Sequence, residues 1–154
     1  MNLNVTTEGA EETIRLGRLL GKVLKPGHVV CLYGDLGTGK TTLIKGIASA
    51  FKISEDEITS ASFLIIAEHY GDHPLYHIDL YRLERIDDIL ETGIEEYLES
   101  DGIAVIEWAE RFKDCPCTLK ITIKMKSSNE RTFIIESDNK EMIENIKTLL
   151  EKTG

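Results

Sequence analysis

Residues Gly34 to Thr41 read G-D-L-G-T-G-K-T, and the spacing G-x-x-x-x-G-K-[ST] is that of a loop wrapped around the phosphates of a nucleoside triphosphate. The chemistry follows from the residue types. Gly34, Gly37 and Gly39 allow left-handed dihedrals and a close backbone approach that a β-carbon would oppose. The main chain through Asp35, Leu36 and Thr38 can then turn its N–H groups inward toward an anion. Lys40 would reach the β- and γ-phosphates as a point charge, and the Thr41 hydroxyl would ligate Mg²⁺. A glycine-rich turn that matches by accident is the competing reading.

Phosphoryl chemistry also needs a carboxylate for hydrated Mg²⁺ and a group that positions the attacking water. Acids at the C-terminal ends of buried strands are the natural candidates, because that edge of an α/β sheet carries the ligand loops. Two residues qualify. Asp79 follows Leu75-Tyr76-His77-Ile78, and Glu107 follows Gly102-Ile103-Ala104-Val105-Ile106. Either could instead cap a helix or pair with Arg82 or Arg111.

These residues need elements to hold them. His28 to Tyr33 is a nearly continuous apolar run, as expected of a parallel strand buried on both faces. Beyond Lys40, Leu43, Ile44, Ile47 and Ala48 recur at helical spacing up to Phe51. That strand-loop-helix order aims a helix N-terminus, with its unpaired N–H groups and partial positive charge, at the phosphates. Elsewhere the pattern predicts a strand over residues 2–6 and a helix from Thr7 or Glu8 to Leu24, closed by Pro26-Gly27. Strands at 63–67 and 75–80 are expected around the turn-rich Gly71-Asp72-His73-Pro74. A helical stretch should run over 86–99, interrupted near Gly93, before a strand at 103–106. Alternating residues at 119–125 and 132–136 predict an antiparallel hairpin, and Met142, Ile143, Ile146, Leu149 and Leu150 a terminal amphipathic helix. The expected fold is α/β: one three-layer, nucleotide-binding domain over residues 1–154, with a central mixed sheet and a C-terminal antiparallel hairpin.

Composition narrows the function classes. The chain has 154 residues, 42% hydrophobic and 29% charged, which describes a soluble globular domain with a real core. No apolar run approaches a membrane span and no signal-peptide pattern opens the chain. Three cysteines without metal-ligand spacing fit a reducing cytoplasm, and the Cys115-Pro116-Cys117 pair reads as incidental. With 27 acidic against 18 basic side chains the net charge is −9, so the chain should repel a nucleic-acid backbone, and any RNA would be held by another protein. Acids concentrate between Glu84 and Asp101, either as a solvated helical face or as a docking surface for a basic partner.

Three blocks, Gly34–Thr42 as G-D-L-G-T-G-K-T-T, His77–Leu83 as H-I-D-L-Y-R-L and Ile106–Arg111 as I-E-W-A-E-R, closely resemble the bacterial TsaE (YjeE) family, in order and over nearly the whole chain. The resemblance implies the ATPase of tRNA threonylcarbamoyladenosine biosynthesis, working with two protein partners, TsaB and TsaD, and meeting tRNA only through them. It implies ATP and Mg²⁺ as ligands. Lys40 would contact the β/γ-phosphates, and Thr41 would bind Mg²⁺ with Thr42 nearby on the phosphates. Asp79 would lie in the metal shell, and Glu107 would orient or activate water beside it. Trp108 matches the family tryptophan next to that glutamate and is counted with the nucleotide site, although the only tryptophan of an α/β domain is often simply buried. His77 could assist catalysis or be a hydrogen-bonded core histidine. One departure stands out: where the family carries Ser-Pro-Thr-Phe, this chain has Ser60-Ala61-Ser62-Phe63, which loses the rigid φ of proline.

Rival activities fit less well. A guanine-reading N-K-x-D element is not met by Asn139-Lys140-Glu141-Met142, which argues against GTP. A small-molecule kinase would call for an arginine-rich lid to exclude water, and here Arg15, Arg18, Arg82, Arg85, Arg111 and Arg131 are scattered. A nucleotide-gated scaffold that does not hydrolyse ATP is the third alternative.

Overall fold

A computed structural model describes residues 2–34, 39–59 and 65–153. In chain order the elements are β1 (Asn2–Glu8), α1 (Gly9–Val23), β2 (Val29–Tyr33), α2 (Lys40–Ala50), β3 (Ile66–Tyr70), β4 (Pro74–Asp79), α3 (Ile86–Glu91), α4 (Ile94–Leu98), β5 (Ile103–Glu107), β6 (Leu119–Met125), β7 (Glu130–Glu136) and α5 (Lys140–Thr153). The seven strands form one mixed sheet in the order β1-β7-β6-β2-β5-β4-β3. Its centre is parallel, with β2 pairing β5 and β6 and with β4 pairing β5. Both margins are antiparallel, through β3 against β4 and the β6–β7–β1 meander.

Side chains alternate across β2, and that alternation makes the layers. Val30 and Leu32 face the helices α1, α2 and α5, where Leu20, Leu43, Ile47 and Ile146 are fully buried. Val29 and Cys31 face the other way, against Ile89 of α3 and Ile94 of α4. The three-layer α/β arrangement and the antiparallel C-terminal hairpin are therefore as expected from the pattern of the chain. Asn139, weighed above as part of a guanine-reading element, is a helix cap: its Oδ1 accepts from the Met142 N–H at 3.1 Å at the start of α5.

Several expectations need correction. The strand expected at 63–67 is found at Ile66–Tyr70, and its first two expected residues lie outside the described ones. Its bounds follow from pairing with β4, from Ile66 opposite Ile78 to Tyr70 opposite Pro74, in an edge strand whose own alternation is weak. The first strand runs on through Glu8, because Glu8 still pairs with Glu130, so α1 starts only at Gly9. Nor are the cysteines incidental, since Cys31 is bonded to Cys117 and Cys115 lies beside them.

Helix α2 is seated by two glycines. A β-carbon on Gly46 would lie 2.2 Å from the Ile14 carbonyl oxygen, and one on Gly17 would lie 2.3 Å from that of Leu43. The two backbones thus touch, and neither can yield without shifting its helix. Gly46→Val is expected to destabilise the protein by about 3 kcal/mol, at the upper end of ordinary overpacking. Urea denaturation measures this, and an unchanged midpoint would mean that the helices can separate freely.

Candidate functional site

The C-terminal ends of β2, β4 and β5 form one edge, and the site is built there. Strand β2 ends at Tyr33 and leads into Gly34, whose φ is 145°. The chain returns at Gly39, with φ 106° and ψ 17°, and Lys40 begins α2. Those positive φ values suit glycine alone without strain. The expected contributions of Asp35, Leu36, Gly37 and Thr38 lie outside the described residues, as does the Ser60–Phe63 segment.

Lys40 is 5% exposed, unusual for a lysine. Its Nζ donates to the Gly34 carbonyl at 2.6 Å and sits 4.0 Å from the centre of the Trp108 ring. The ammonium is thus held over the returning loop by a hydrogen bond and a cation–π contact. Thr41 and Thr42 are half-buried in the first turn of the same helix. Trp108 is half-buried, packed against the core layer of Ile78 and Ile106 while its ring faces Lys40. It adopts φ 58° and ψ 42°, and its ring also meets Tyr81 at 5.0 Å. A left-handed tryptophan costs about 1 kcal/mol or more, and such strain tends to gather at functional sites.

Sheet register brings the two strand-end acids together. Glu107 of β5 is directly opposite Leu32 of β2 on one side and Asp79 of β4 on the other. His77, two residues before Asp79, points to the same face, and its Nε2 lies 2.5 Å from Glu107 Oε2. Both side chains are buried. With the carboxylate as acceptor, His77 presents its Nε2–H and fixes where Glu107 points. Of the two readings of His77, the hydrogen-bonded core histidine describes its setting. Asp79 Oδ1 accepts the Tyr81 N–H at 3.0 Å. Arg111, weighed above as a structural partner for these acids, lies 3.9 Å from Glu84.

Electrostatics distinguish Asp79. Burial, the largest cause, raises its carboxyl above the usual range, and Glu107 pushes the same way. The Tyr81 N–H, His77 and Lys40 pull it back. A carboxyl raised in this way binds more protons in the folded chain than in the unfolded one. Stability then falls as pH rises from the ordinary value of 3.8 through the raised value. Asp79→Asn keeps the acceptor and removes the charge, so it should melt higher than the parent near pH 7. Thermal melts at several pH values test the sign: the advantage should shrink toward pH 4, and an advantage independent of pH would exclude this cause.

One part of the site escaped the sequence. Arg131, read there as one of several scattered arginines, has its Nε 4.0 Å from where a Gly39 β-carbon would be. With Gly9, Thr13, Thr42 and Asn129 it lines a cavity of about 240 Å³ next to the start of α2. No local signal marks it, because the β6–β7 hairpin, with Asn129 in its turn and Arg131 in β7, is brought to Gly39 only by the sheet.

The donor set suits a magnesium nucleotide: a buried ammonium at a helix start, two threonine hydroxyls, and a carboxyl whose burial disfavours its charge until a cation approaches. Comparisons with known proteins agree in family. Residues 7–133 match the family model described as threonylcarbamoyl adenosine biosynthesis protein TsaE. The chain is 37% identical over 135 residues to the tRNA threonylcarbamoyladenosine biosynthesis protein TsaE of Treponema pallidum, covering 86% of this chain and 99% of that one. It is 39% identical over 142 residues to the protein of that name from Bacillus subtilis, covering 89% and 88%. Against the Nostoc protein the identity is 46% over 113 residues, 70% of this chain and 68% of the other. The crystal structure of Bacillus subtilis YdiB superposes with a TM-score of 0.78 at 32% identity, covering 100% of this chain and 97% of that one.

Proposed function

Because the chain belongs to the TsaE family of threonylcarbamoyl adenosine biosynthesis proteins, we propose that it binds ATP with Mg²⁺ and hydrolyses it, slowly alone and faster with TsaB and TsaD. The observation that carries this reading is the meeting of Lys40, Asp79 and Glu107 at one sheet edge, with Glu107 held between β2 and β4.

Each residue has a physical role in this reading. The Gly34–Gly39 backbone and the α2 N-terminus receive the phosphates, and Lys40 leaves the Gly34 carbonyl to pair with the β/γ oxygens. Thr41, Asp79 and Glu107 are the oxygen ligands that would hold Mg²⁺, directly or through water, and the ion would neutralise phosphate charge as the bond breaks. Glu107, oriented by His77, positions water for attack on the γ-phosphorus. Thr42 and Trp108 complete the nucleotide site, and the cavity at Arg131 offers room for more of the nucleotide. The net charge of −9 leaves tRNA to the partners, and the proposed location is the cytoplasm. Among the described residues no helix is long and apolar enough to cross a membrane.

The test is ATP turnover by the purified chain, alone and then with TsaB, TsaD and tRNA. Stimulation of about tenfold or more by the assembled partners, absent for Glu107→Gln, is the expected result. A chain that binds ATP and assembles without any turnover would be a nucleotide-gated scaffold.

A further inference from the structure

On the face of β2 opposite the nucleotide site, the structure joins three sulfurs that the sequence keeps far apart. Cys31 is bonded to Cys117, 86 positions away, and Cys115 Sγ lies 3.6 Å from Cys31 Sγ. Sulfur atoms of all three lie within 4.8 Å of one another. Backbone hydrogen bonds tie the same two segments together beside the sulfur bond. Thr118 donates its N–H to the Val29 carbonyl at 2.8 Å and accepts the Val29 N–H at its Oγ1, 3.0 Å away. A Cys117 N–H to Cys115 carbonyl bond of 2.9 Å closes the turn around Pro116. These bonds and the β2–β6 register do not pass through the sulfurs.

The three sulfurs differ in access. Cys31 is fully buried and Cys115 is 9% exposed. Cys117 is half-buried and lines an open cavity of about 360 Å³ together with Lys120, Glu136 and Asp138. That cavity offers room for a small zwitterionic disulfide, with Lys120 to meet its carboxylates and Glu136 and Asp138 its ammonium groups.

We propose that Cys117 and Cys31 form a reversible thiol–disulfide exchange site for low-molecular-weight disulfides and thiols of the glutathione class, entered at Cys117 and resolved by Cys31. In the oxidising direction the Cys117 thiolate attacks one sulfur of the small disulfide, forms a mixed disulfide and releases one small thiolate. Cys31 gives its proton to the released small thiolate and attacks the Cys117 sulfur. The Cys31–Cys117 bond forms and the second small thiolate leaves. Two protein thiols are oxidised and one small disulfide is reduced to two thiols. Cys115 stays out of the exchange near neutral pH, because burial pushes its thiol up to about 11 and leaves it protonated. Reversibility also reconciles the bond with a reducing compartment, where a permanent disulfide is uncommon.

The experiment equilibrates the intact protein in mixtures of reduced and oxidised glutathione, quenches with acid, alkylates free thiols and maps the peptides without reduction. The parent and Cys115→Ala are both expected to pass from no disulfide to a single Cys31–Cys117 bond as the mixture becomes oxidising. Cys31→Ala should stop at a glutathione adduct on Cys117. Three results would each overturn the proposal. One is the absence of a protein disulfide in the most oxidising mixture. Another is an adduct on Cys115 in place of Cys117. The third is a thiolate-bound metal ion, found by elemental analysis of the reduced protein, that must be chelated before the pair oxidises.

Discussion

Glu107→Gln should keep nucleotide and lose turnover, with hydrolysis falling about 10²- to 10⁴-fold while ATP affinity changes by no more than about threefold. The position of Glu107 is the reason. It lies between β2 and β4 at the strand ends, 5% exposed, with His77 Nε2 2.5 Å from one carboxylate oxygen. Glutamine keeps the side chain's length and an oxygen for that bond, so the arrangement survives while the basic group is lost. Glu107→Ala is a coarser probe, because it leaves His77 without its partner in a buried place, at a cost of about 1–3 kcal/mol. Single-turnover hydrolysis and fluorescent-nucleotide titration separate the two effects, with a melt to show that the variant is folded. Normal turnover in Glu107→Gln would remove this residue from the chemistry.

Lys40→Ala is expected to do the reverse and weaken ATP binding about 100-fold, or about 2.7 kcal/mol, by deleting the charge proposed to meet the terminal phosphates. Its effect on stability should be small, because opposing terms nearly cancel. The substitution ends the desolvation of an ammonium that is 5% exposed. It also loses the 2.6 Å hydrogen bond to Gly34 and the contact 4.0 Å above Trp108. A change within about 1 kcal/mol is the expectation from these competing contributions. Calorimetric titration with ATP and urea denaturation measure the two quantities. A large loss of stability would instead identify Lys40 as a structural strut. The same titrations should change Trp108 fluorescence in the parent, since phosphate draws the ammonium away from the ring.

Together the two variants are expected to divide the proposed site into a binding half on α2 and a chemical half on β4 and β5. The halves come from distant parts of the chain, and their meeting depends on strand order. A sheet in which β4 did not neighbour β5 would leave Asp79 and Glu107 apart, and neither acid would have the environment that raises Asp79.

What the sequence determined by itself is whatever depends on neighbours along the chain. Gly34 to Thr41 is contiguous, so its residue types and spacing suffice to suggest phosphate chemistry before any fold is known. The apolar run at 28–33 and the helical period after Lys40 mark their elements for the same reason: burial on two faces and burial on one stripe leave different local patterns. Asp79 and Glu107 were legible as acids ending apolar strands. Tertiary structure decided everything that depends on which strands lie side by side. It placed Asp79 opposite Glu107, His77 against Glu107 and Lys40 over the Trp108 ring. It also carried Arg131 to Gly39 through the hairpin and brought Cys31 to Cys115 and Cys117 across the sheet. The edge strand at 66–70 belongs with these, because its pairing with β4 and not its own weak alternation sets its ends. The physical reason is the same throughout. Local propensity and periodicity act within one or two turns of chain, whereas register, burial and electrostatic coupling arise only when the sheet closes distant segments onto one another.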